Sequence, residues 1–120
     1  EALGKGKLSR SSLRFRVEQL IVQLLPHGTA NAGEVAGRLG MSRRTLSRRL
    51  EAEEERFSEL LDRIRAALAK RYLRERELPI SQIAWLLGYR ETSAFAHAFR
   101  RWTGKTPREA RAQPGSAQNG

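Results

Sequence analysis

The chain contains one seven-residue pattern twice, first as Val35-Ala36-Gly37-Arg38-Leu39-Gly40-Met41 and then as Ile83-Ala84-Trp85-Leu86-Leu87-Gly88-Tyr89. The two copies lie 48 positions apart, and each places an alanine after a branched aliphatic residue and a glycine after a leucine. Further on, Leu46 and Leu50 correspond to Phe95 and Phe99 at an offset of 49, so the second copy has one extra residue in its turn. The repeat predicts two units of the same architecture.

Each copy has the layout of a helix-turn-helix unit. A short helix leads to a turn at Gly40 or Gly88, where glycine permits the left-handed conformation that a sharp turn needs. The second helix has apolar residues four positions apart on its inner face, and the small side chains of Ala36 and Ala84 let the two helices cross closely. A pair of generic helical hairpins is the alternative, and two copies in register make it the weaker one.

The rest of the chain also has helical spacing, and no run of alternating β-branched residues occurs. A first helix ends before Pro26, and Pro107 opens a last short one. Asn31, with Glu34 three residues on, predicts a capping-box start, and Ser42 predicts another helix N-cap. The pattern therefore indicates an all-α fold of about seven helices, in which two helix-turn-helix units are joined by a long linker helix.

The expected organisation has five segments. They are a flexible lead-in at residues 1–12, the first helix-turn-helix unit at 13–54, the linker helix at 55–77, the second unit at 78–112 and a disordered tail at 113–120. The linker helix is expected to reach about Arg76, with an apolar stripe formed by Phe57, Leu61, Ile64, Leu68 and Tyr72. About 20 residues would rise roughly 30 Å, close to the ~34 Å of one duplex turn, so both units could enter successive major grooves.

Charge indicates the class of partner. Lys plus Arg number 23 against 13 Asp plus Glu, which leaves a net charge of +10 and makes a polyanion the leading partner. With no cysteine, the chain has no disulfide, thiolate metal site or cysteine nucleophile. We expect no metal, no cofactor and no catalytic residue.

The longest apolar run is far too short for a bilayer and no secretory signal is visible, so a cytoplasmic protein with no membrane partner is expected. The absence of a first methionine predicts a piece of a longer protein.

The second helix of the first unit carries four arginines and no acid between residues 42 and 50. With the two leucines inward, Arg44, Ser47 and Arg48 share the outward face. A guanidinium there can donate two parallel hydrogen bonds to guanine O6 and N7 in the major groove. The alternative is a solvated charged face, in which Arg49 pairs with Glu53.

The second unit presents a different outward face. With Phe95, Phe99 and Trp102 inward, the exposed positions are Ser93, Ala94 and His97, followed by Arg100, Arg101 and Lys105. An alanine can contact a thymine methyl group, and a histidine can donate to a purine N7 or a phosphate. The three basic residues, with the helix N-terminus at Thr106-Pro107, suit a phosphate clamp.

These residues carry a resemblance to a known family. Residues 80–89, followed by Ser93–Phe99, Arg100-Arg101-Trp102-Thr103-Gly104-Lys105 and Thr106-Pro107, resemble the signature of the AraC/XylS family of bacterial transcription regulators, and residues 41–50 resemble its first recognition helix. The resemblance spans about residues 13–111. It implies seven helices, binding to double-stranded promoter DNA in the bacterial nucleoid, RNA polymerase as a partner, and any effector ligand bound by a domain absent from this chain.

The resemblance and the repeat together define the expected interface. The base-contacting set is Arg43, Arg44, Ser47, Arg48, Thr92, Ser93, Ala94 and His97. The phosphate-contacting set is Ser42, Thr45, Arg49, Arg90, Arg100, Arg101, Lys105 and Thr106.

Three positions depart from the family pattern. The family usually has a glycine near Glu54 or Glu55, so either a glutamate adopts a left-handed conformation, costing roughly 1 kcal/mol, or the helix runs on. Arg56 replaces a small capping residue. Ala110 stands where the family commonly has tyrosine, which affects how the last helix packs.

Two other functions fit parts of the pattern. The first is the DNA-recognition domain of a recombinase or transposase, whose catalytic carboxylates would lie outside this chain. The second is a basic helical protein-interaction module, whose acidic stretch at residues 51–55 would contact a partner such as a polymerase subunit.

Overall fold

The computed structural model describes residues 12–112, which form seven α-helices and one short 3-10 helix. The helices are α1 (Leu13–Leu24), α2 (Ala32–Arg38), α3 (Arg43–Ala52), α4 (Phe57–Leu73), α5 (Ile80–Leu86), α6 (Thr92–Thr103) and α7 (Pro107–Arg111), and the 3-10 helix is Leu25–His27. No strand occurs in this described part of the chain, which confirms the all-α class. The expected flexible lead-in, apart from Ser12, and the expected disordered tail lie outside the described residues.

Polar side chains start several helices where the sequence predicts. Asn31 accepts a hydrogen bond from the Glu34 amide at 2.8 Å, and Ser42 accepts one from the Thr45 amide at 3.1 Å. The capping box at Asn31 is only half formed, because the Glu34 carboxylate pairs with Arg38 at 3.0 Å. The Asn31 amide donates instead to the Thr29 carbonyl. The Asn31 prediction is therefore right about the cap and wrong about the reciprocal bond.

The sequence repeat is a structural repeat. Gly40 and Gly88 both have left-handed backbones, with φ of 73° and 88°. The amide after each glycine donates to the carbonyl of the alanine that both repeats share, from Met41 to Ala36 at 3.0 Å and from Tyr89 to Ala84 at 2.9 Å. The helices α2 and α5 start 48 positions apart, whereas α3 and α6 start 49 apart. The extra residue therefore lies in the second turn, as the sequence predicts.

The linker helix α4 is shorter and more widely buried than expected. It has 17 residues and ends at Leu73, so it rises about 25 Å rather than roughly 30 Å. Its buried residues are Leu60, Ala69 and Leu73, whereas the predicted stripe is only partly buried. The reason is that α4 packs on α1 from one side and on α5, α6 and α7 from the other. A helix buried on two flanks needs a broader apolar face than a single stripe.

One continuous hydrophobic core joins the two units. It contains Val17 and Ile21 of α1 and Leu25 of the 3-10 helix, which packs against α5. It also contains the corresponding buried residues of the two repeats, namely Val35, Ala36, Leu46 and Leu50 in the first and Ile83, Ala84, Phe95 and Phe99 in the second. The units therefore touch directly as well as through α4. None of the helices between residues 12 and 112 is both long enough and apolar enough to cross a membrane.

Candidate nucleic-acid interface

The helix α3 presents its predicted basic face to solvent. Its inward residues Leu46 and Leu50 are buried, so the opposite face is set by the helical repeat. All of the predicted base-contacting residues of this unit are exposed, namely Arg43, Arg44, Ser47 and Arg48. The charge of this face is therefore available to a ligand.

The four arginines of α3 have no partner within the described residues. No hydrogen bond or ion pair among residues 12–112 involves the side chain of Arg43, Arg44, Arg48 or Arg49. The predicted alternative pair of Arg49 with Glu53 does not form. The reason is that the Glu53 carboxylate accepts hydrogen bonds from the amides of Leu13 and Arg14, at 3.3 and 3.2 Å, and so caps α1.

Two hydroxyls stand at the start of α3. Ser42 caps the helix and donates from its Oγ to Oγ1 of Thr45 at 3.0 Å. This arrangement leaves the Thr45 hydroxyl proton free for an outside acceptor. Ser42 is exposed and Thr45 is half-buried, so both lie at the edge of the basic face where a phosphate contact is predicted.

The helix α6 presents the second predicted surface. Phe95 and Phe99 are buried, and Trp102 is half-buried with its ring centroid 6.4 Å from that of Phe99. The four residues predicted to contact bases on this helix are all exposed, namely Thr92, Ser93, Ala94 and His97. Unlike α3, this helix has an N-cap residue, Glu91, whose side chain forms no cap hydrogen bond.

The predicted phosphate contacts of the second unit fall into two groups. Arg90, Arg100 and Arg101 are exposed, whereas Lys105 and Thr106 are half-buried. Thr106 forms a complete capping box with Glu109, donating from its amide to the carboxylate at 2.9 Å. That bond lowers the pKa of Glu109, so the carboxylate stays ionised and holds the amide that a phosphate would need. A phosphate contact by Thr106 therefore requires its hydroxyl or a displaced Glu109.

The acidic stretch after α3 is largely structural. Besides Glu53, Glu55 is enclosed between two arginines, with Arg63 at 2.6 Å and Arg14 at 3.3 Å. The hydrogen bond from Arg63 is the main cause that lowers the pKa of Glu55, and the bond from Arg14 acts in the same direction. Glu53 thus ties the end of α3 to α1 and Glu55 ties α1 to α4, so neither carboxylate pairs with an arginine of α3.

Sequence reasoning missed two arginines that face inward. Arg65 on α4 donates from Nε to the Leu87 carbonyl at 2.9 Å, and its guanidinium carbon lies 4.5 Å from the centroid of the Tyr89 ring. Burial raises the pKa of Tyr89, and the position of the guanidinium over the ring makes the contact a cation–π interaction. Arg111 donates to the carbonyls of Leu73 and Glu75, at 3.1 and 3.0 Å, at the end of α4.

The last helix packs despite its departure from the family pattern. Ala110 is partly buried against the core, and Pro107 is buried at the first position of α7. The Arg111 bonds to the end of α4 hold this helix in place. No local spacing signals them, because the bonded residues lie 36 or more positions apart.

Comparison with known proteins shows the family to which this sequence is similar. The sequence pattern of the family described as "helix-turn-helix domain" matches residues 35–113. The chain is similar to the HTH-type transcriptional regulator VirS of Mycobacterium tuberculosis, with 49% identity over 107 residues that cover 89% of this chain and 32% of the relative. The chain thus spans about a third of the length of this relative.

Solved structures show the same fold. A DNA-binding transcriptional dual regulator of Escherichia coli K-12 superposes with a TM-score of 0.77 at 29% identity, covering 86% of this chain and 92% of that chain. A regulator from Chromobacterium violaceum, described as having an AraC-type DNA-binding domain, superposes with a TM-score of 0.71 over 94% of this chain and 96% of that one. At 24% identity, the second likeness is one of fold.

Proposed function

The chain belongs to the AraC/XylS family of helix-turn-helix transcription regulators and binds DNA sequence-specifically, and from this premise we propose that its two units read successive major grooves on one face of a duplex. The observation that carries the proposal is the repeated unit, which exposes an outward helix face twice in one continuous fold. Most helix-turn-helix proteins need a dimer to reach two grooves. A duplicated unit can do so in one chain.

The dimensions of the molecule support this reach. One duplex turn measures ~34 Å, and α4 alone rises only about 25 Å. The molecule is 44 Å along its longest axis, which leaves room for the two recognition helices to lie one turn apart. The distance between them is therefore a property of the packed units rather than of the length of the linker alone.

The two units have different proposed roles. The helix α3 carries four arginines that have no hydrogen-bond or ion-pair partner among residues 12–112. It reads bases through Arg43, Arg44, Ser47 and Arg48, because guanidinium groups form the bidentate contacts that discriminate guanine. The helix α6 has short side chains on its outward face and contributes shape contacts to bases through Thr92, Ser93, Ala94 and His97. Phosphates are held by Ser42, Thr45, Arg49, Arg90, Arg100, Arg101, Lys105 and Thr106.

Partners beyond DNA follow from the kinship. Two matched relatives are named as HTH-type transcriptional regulators, so RNA polymerase is the proposed protein partner and the bacterial nucleoid the proposed location. These relatives are about three times as long as the matched part, and the proposed place for an effector ligand is in that remainder. Regulation of this kind needs binding but no covalent chemistry, so we assign the chain no catalytic residue.

Selection of bound sequences from random duplex DNA tests the proposal. The purified chain should enrich two conserved blocks whose centres lie about one helical turn apart. The block read by α3 should be rich in guanine, because its readers are arginines. Enrichment of a single block would show that only one unit reads the duplex, and enrichment of none would remove specificity altogether.

A further inference from the structure

The half-buried side chain of Arg65 links the linker helix to the turn of the second helix-turn-helix unit. Its Nε donates to the carbonyl of Leu87, the C-cap residue of α5, which lies beyond the carbonyls bonded within that helix. Its guanidinium also lies over the face of Tyr89, at 4.5 Å from the ring centroid. The Arg65 side chain therefore contacts the turn on both sides of Gly88, at Leu87 and at Tyr89.

The contact continues from the turn into the recognition helix. The Tyr89 ring packs on Phe95 at a centroid distance of 5.9 Å, and Phe95 packs edge-to-face on Phe99 at 5.9 Å. Both phenylalanines are buried on the inward face of α6. Arg65, Tyr89 and Phe95 therefore form one line of contacts from α4 to α6, beside the direct packing of these two helices.

Gly88 makes the same junction tight. A Cβ at this position would lie 3.2 Å from Nη2 of Arg65 and 3.2 Å from the carbonyl oxygen of Leu25. Leu25 belongs to the 3-10 helix that follows α1, so the first unit, the linker and the turn of the second unit meet at this point. Close packing of this kind admits little rotation of one unit against the other.

The first unit is held to α4 at nearly the same level. Arg63, two residues before Arg65, bonds to Glu55 at 2.6 Å, and Glu55 also pairs with Arg14 of α1. Side chains from one short stretch of the linker therefore bond to both units, in addition to the core that joins the units.

We propose that Arg65 is a positioning residue that sets which spacing between two DNA blocks the chain accepts. The inference rests on the proposed reading of two grooves and deepens it. One inserted base pair moves the second block by about 3.4 Å and rotates it by about 35° around the duplex. A rigid pair of units loses contacts at the wrong spacing, whereas a pair freed at the Arg65 junction recovers them by rotation.

Binding to duplexes with altered spacing tests this role. The probes carry the two selected blocks at the selected spacing, or with one base pair added or removed between them, and further probes carry one block only. The wild-type chain should bind the altered spacings about tenfold more weakly, the cost of roughly one lost base contact. Arg65→Met keeps the apolar stem, and its affinity for the altered spacings should fall by less than about threefold relative to its own best probe.

Two further variants separate positioning from charge and from folding. Arg71→Met removes the same charge from an exposed position of α4 and should keep the wild-type spacing preference. Tyr89→Leu leaves the Arg65–Leu87 bond in place but removes the ring between Arg65 and Phe95, and should relax the spacing preference as Arg65→Met does. Thermal melting identifies a variant that does not fold. If either Arg65→Met or Tyr89→Leu fails to fold, the spacing preference of the other variant tests the positioning role.

The outcomes distinguish the two proposals. Wild-type binding to a single block as tight as to two blocks would overturn the reading of two grooves, and the spacing role with it. If the wild type discriminates but the folded Arg65→Met or Tyr89→Leu variant keeps the tenfold preference, only the positioning role fails. Relaxed spacing in these variants, with single-block affinity within about twofold of wild type, supports it.

Discussion

Glu54 has a left-handed backbone, with φ of 60°, directly after the C-cap residue of α3. Among the described residues other than glycine, it is alone in having a positive φ. The family pattern has a glycine near this position. The sequence left open either a left-handed glutamate here or a helix that runs on, and the left-handed glutamate is what occurs. A side chain with a Cβ is strained there, because the Cβ lies close to the following carbonyl oxygen.

Replacing Glu54 with glycine should therefore stabilise the fold. We expect Glu54→Gly to raise the free energy of unfolding by about 0.5–1 kcal/mol, since the relief of strain exceeds the entropy cost of glycine. Chemical denaturation measures the change. Glu54→Ala is the control, because it removes the carboxylate but keeps the Cβ. An equal gain in both variants would attribute the effect to charge rather than to strain.

Arg48 and Arg49 are neighbours on α3 with the same charge and exposure but different predicted roles. Arg48→Ala should weaken binding to the selected duplex by about 1–3 kcal/mol and weaken binding to a scrambled duplex much less. Arg49→Ala should weaken both by similar factors, because a phosphate contact carries no sequence information. Fluorescence anisotropy with both duplexes measures the ratio. Equal losses on the two duplexes for Arg48→Ala would remove it from the base-reading set.

At the scale of elements, an ion triad joins α1 to α4. The Glu55 carboxylate is held by Arg14 of α1 and Arg63 of α4, and these bonds lower its pKa. A lowered carboxylate pKa in the folded state stabilises the fold above the ordinary pKa. That stabilisation is lost as the pH falls through the folded-state pKa, because the unfolded chain binds the proton more readily.

The pH dependence of stability should therefore depend on Glu55. Between neutral pH and values below its ordinary pKa of 4.5, wild type should lose more stability than Glu55→Gln, so the two melting temperatures should converge in acid. Glu109→Gln is the comparison, since the pKa of Glu109 is lowered by a bond to Thr106 within one helix end rather than by a pair between helices. A constant difference between wild type and Glu55→Gln across this range would contradict the role of the triad.

The linker helix also shows how one element serves two neighbours. Its start has no side-chain cap, since Arg56 makes no cap hydrogen bond, and its end is closed by Arg111 of α7. A tertiary contact therefore satisfies a carbonyl group at the end of α4, where other helices use local caps. The helix is therefore shorter than the sequence predicts: residues 74–76 are charged and exposed, and Arg111 bonds to the Glu75 carbonyl just beyond the end of α4.

At the scale of the whole molecule, the net charge of +10 governs binding to any nucleic acid. Each phosphate neutralised by the protein releases counterions, so the salt dependence of the affinity counts the contacts. Arg100→Ala should lower the slope of log K against log salt by about 1 and weaken binding to all sequences. Arg76→Ala is the matched control, because Arg76 is exposed in the loop between α4 and α5 and outside the proposed interface. An unchanged slope for Arg100→Ala, or an equal decrease for Arg76→Ala, would exclude a local contact.

The sequence alone determined the features that depend on neighbouring residues. The repeat, the glycine turns at Gly40 and Gly88 and the caps at Asn31 and Ser42 all follow from spacings of a few positions, and the structure has each of them. The same holds for the exposure of the predicted readers on α3 and α6, since a helix with one buried face exposes the other. Their roles toward DNA remain predictions.

Only the tertiary structure decided which distant groups meet. Glu53 reaches the amide of Leu13 over 40 positions instead of pairing with Arg49, and Arg65 reaches Leu87 over 22. The pattern on α4 indicated one buried stripe, but the packing of both units widened it. A charged side chain has several possible partners nearby in the sequence and others far along the chain. Which partner it bonds depends on how whole helices pack, and local spacing does not contain that information.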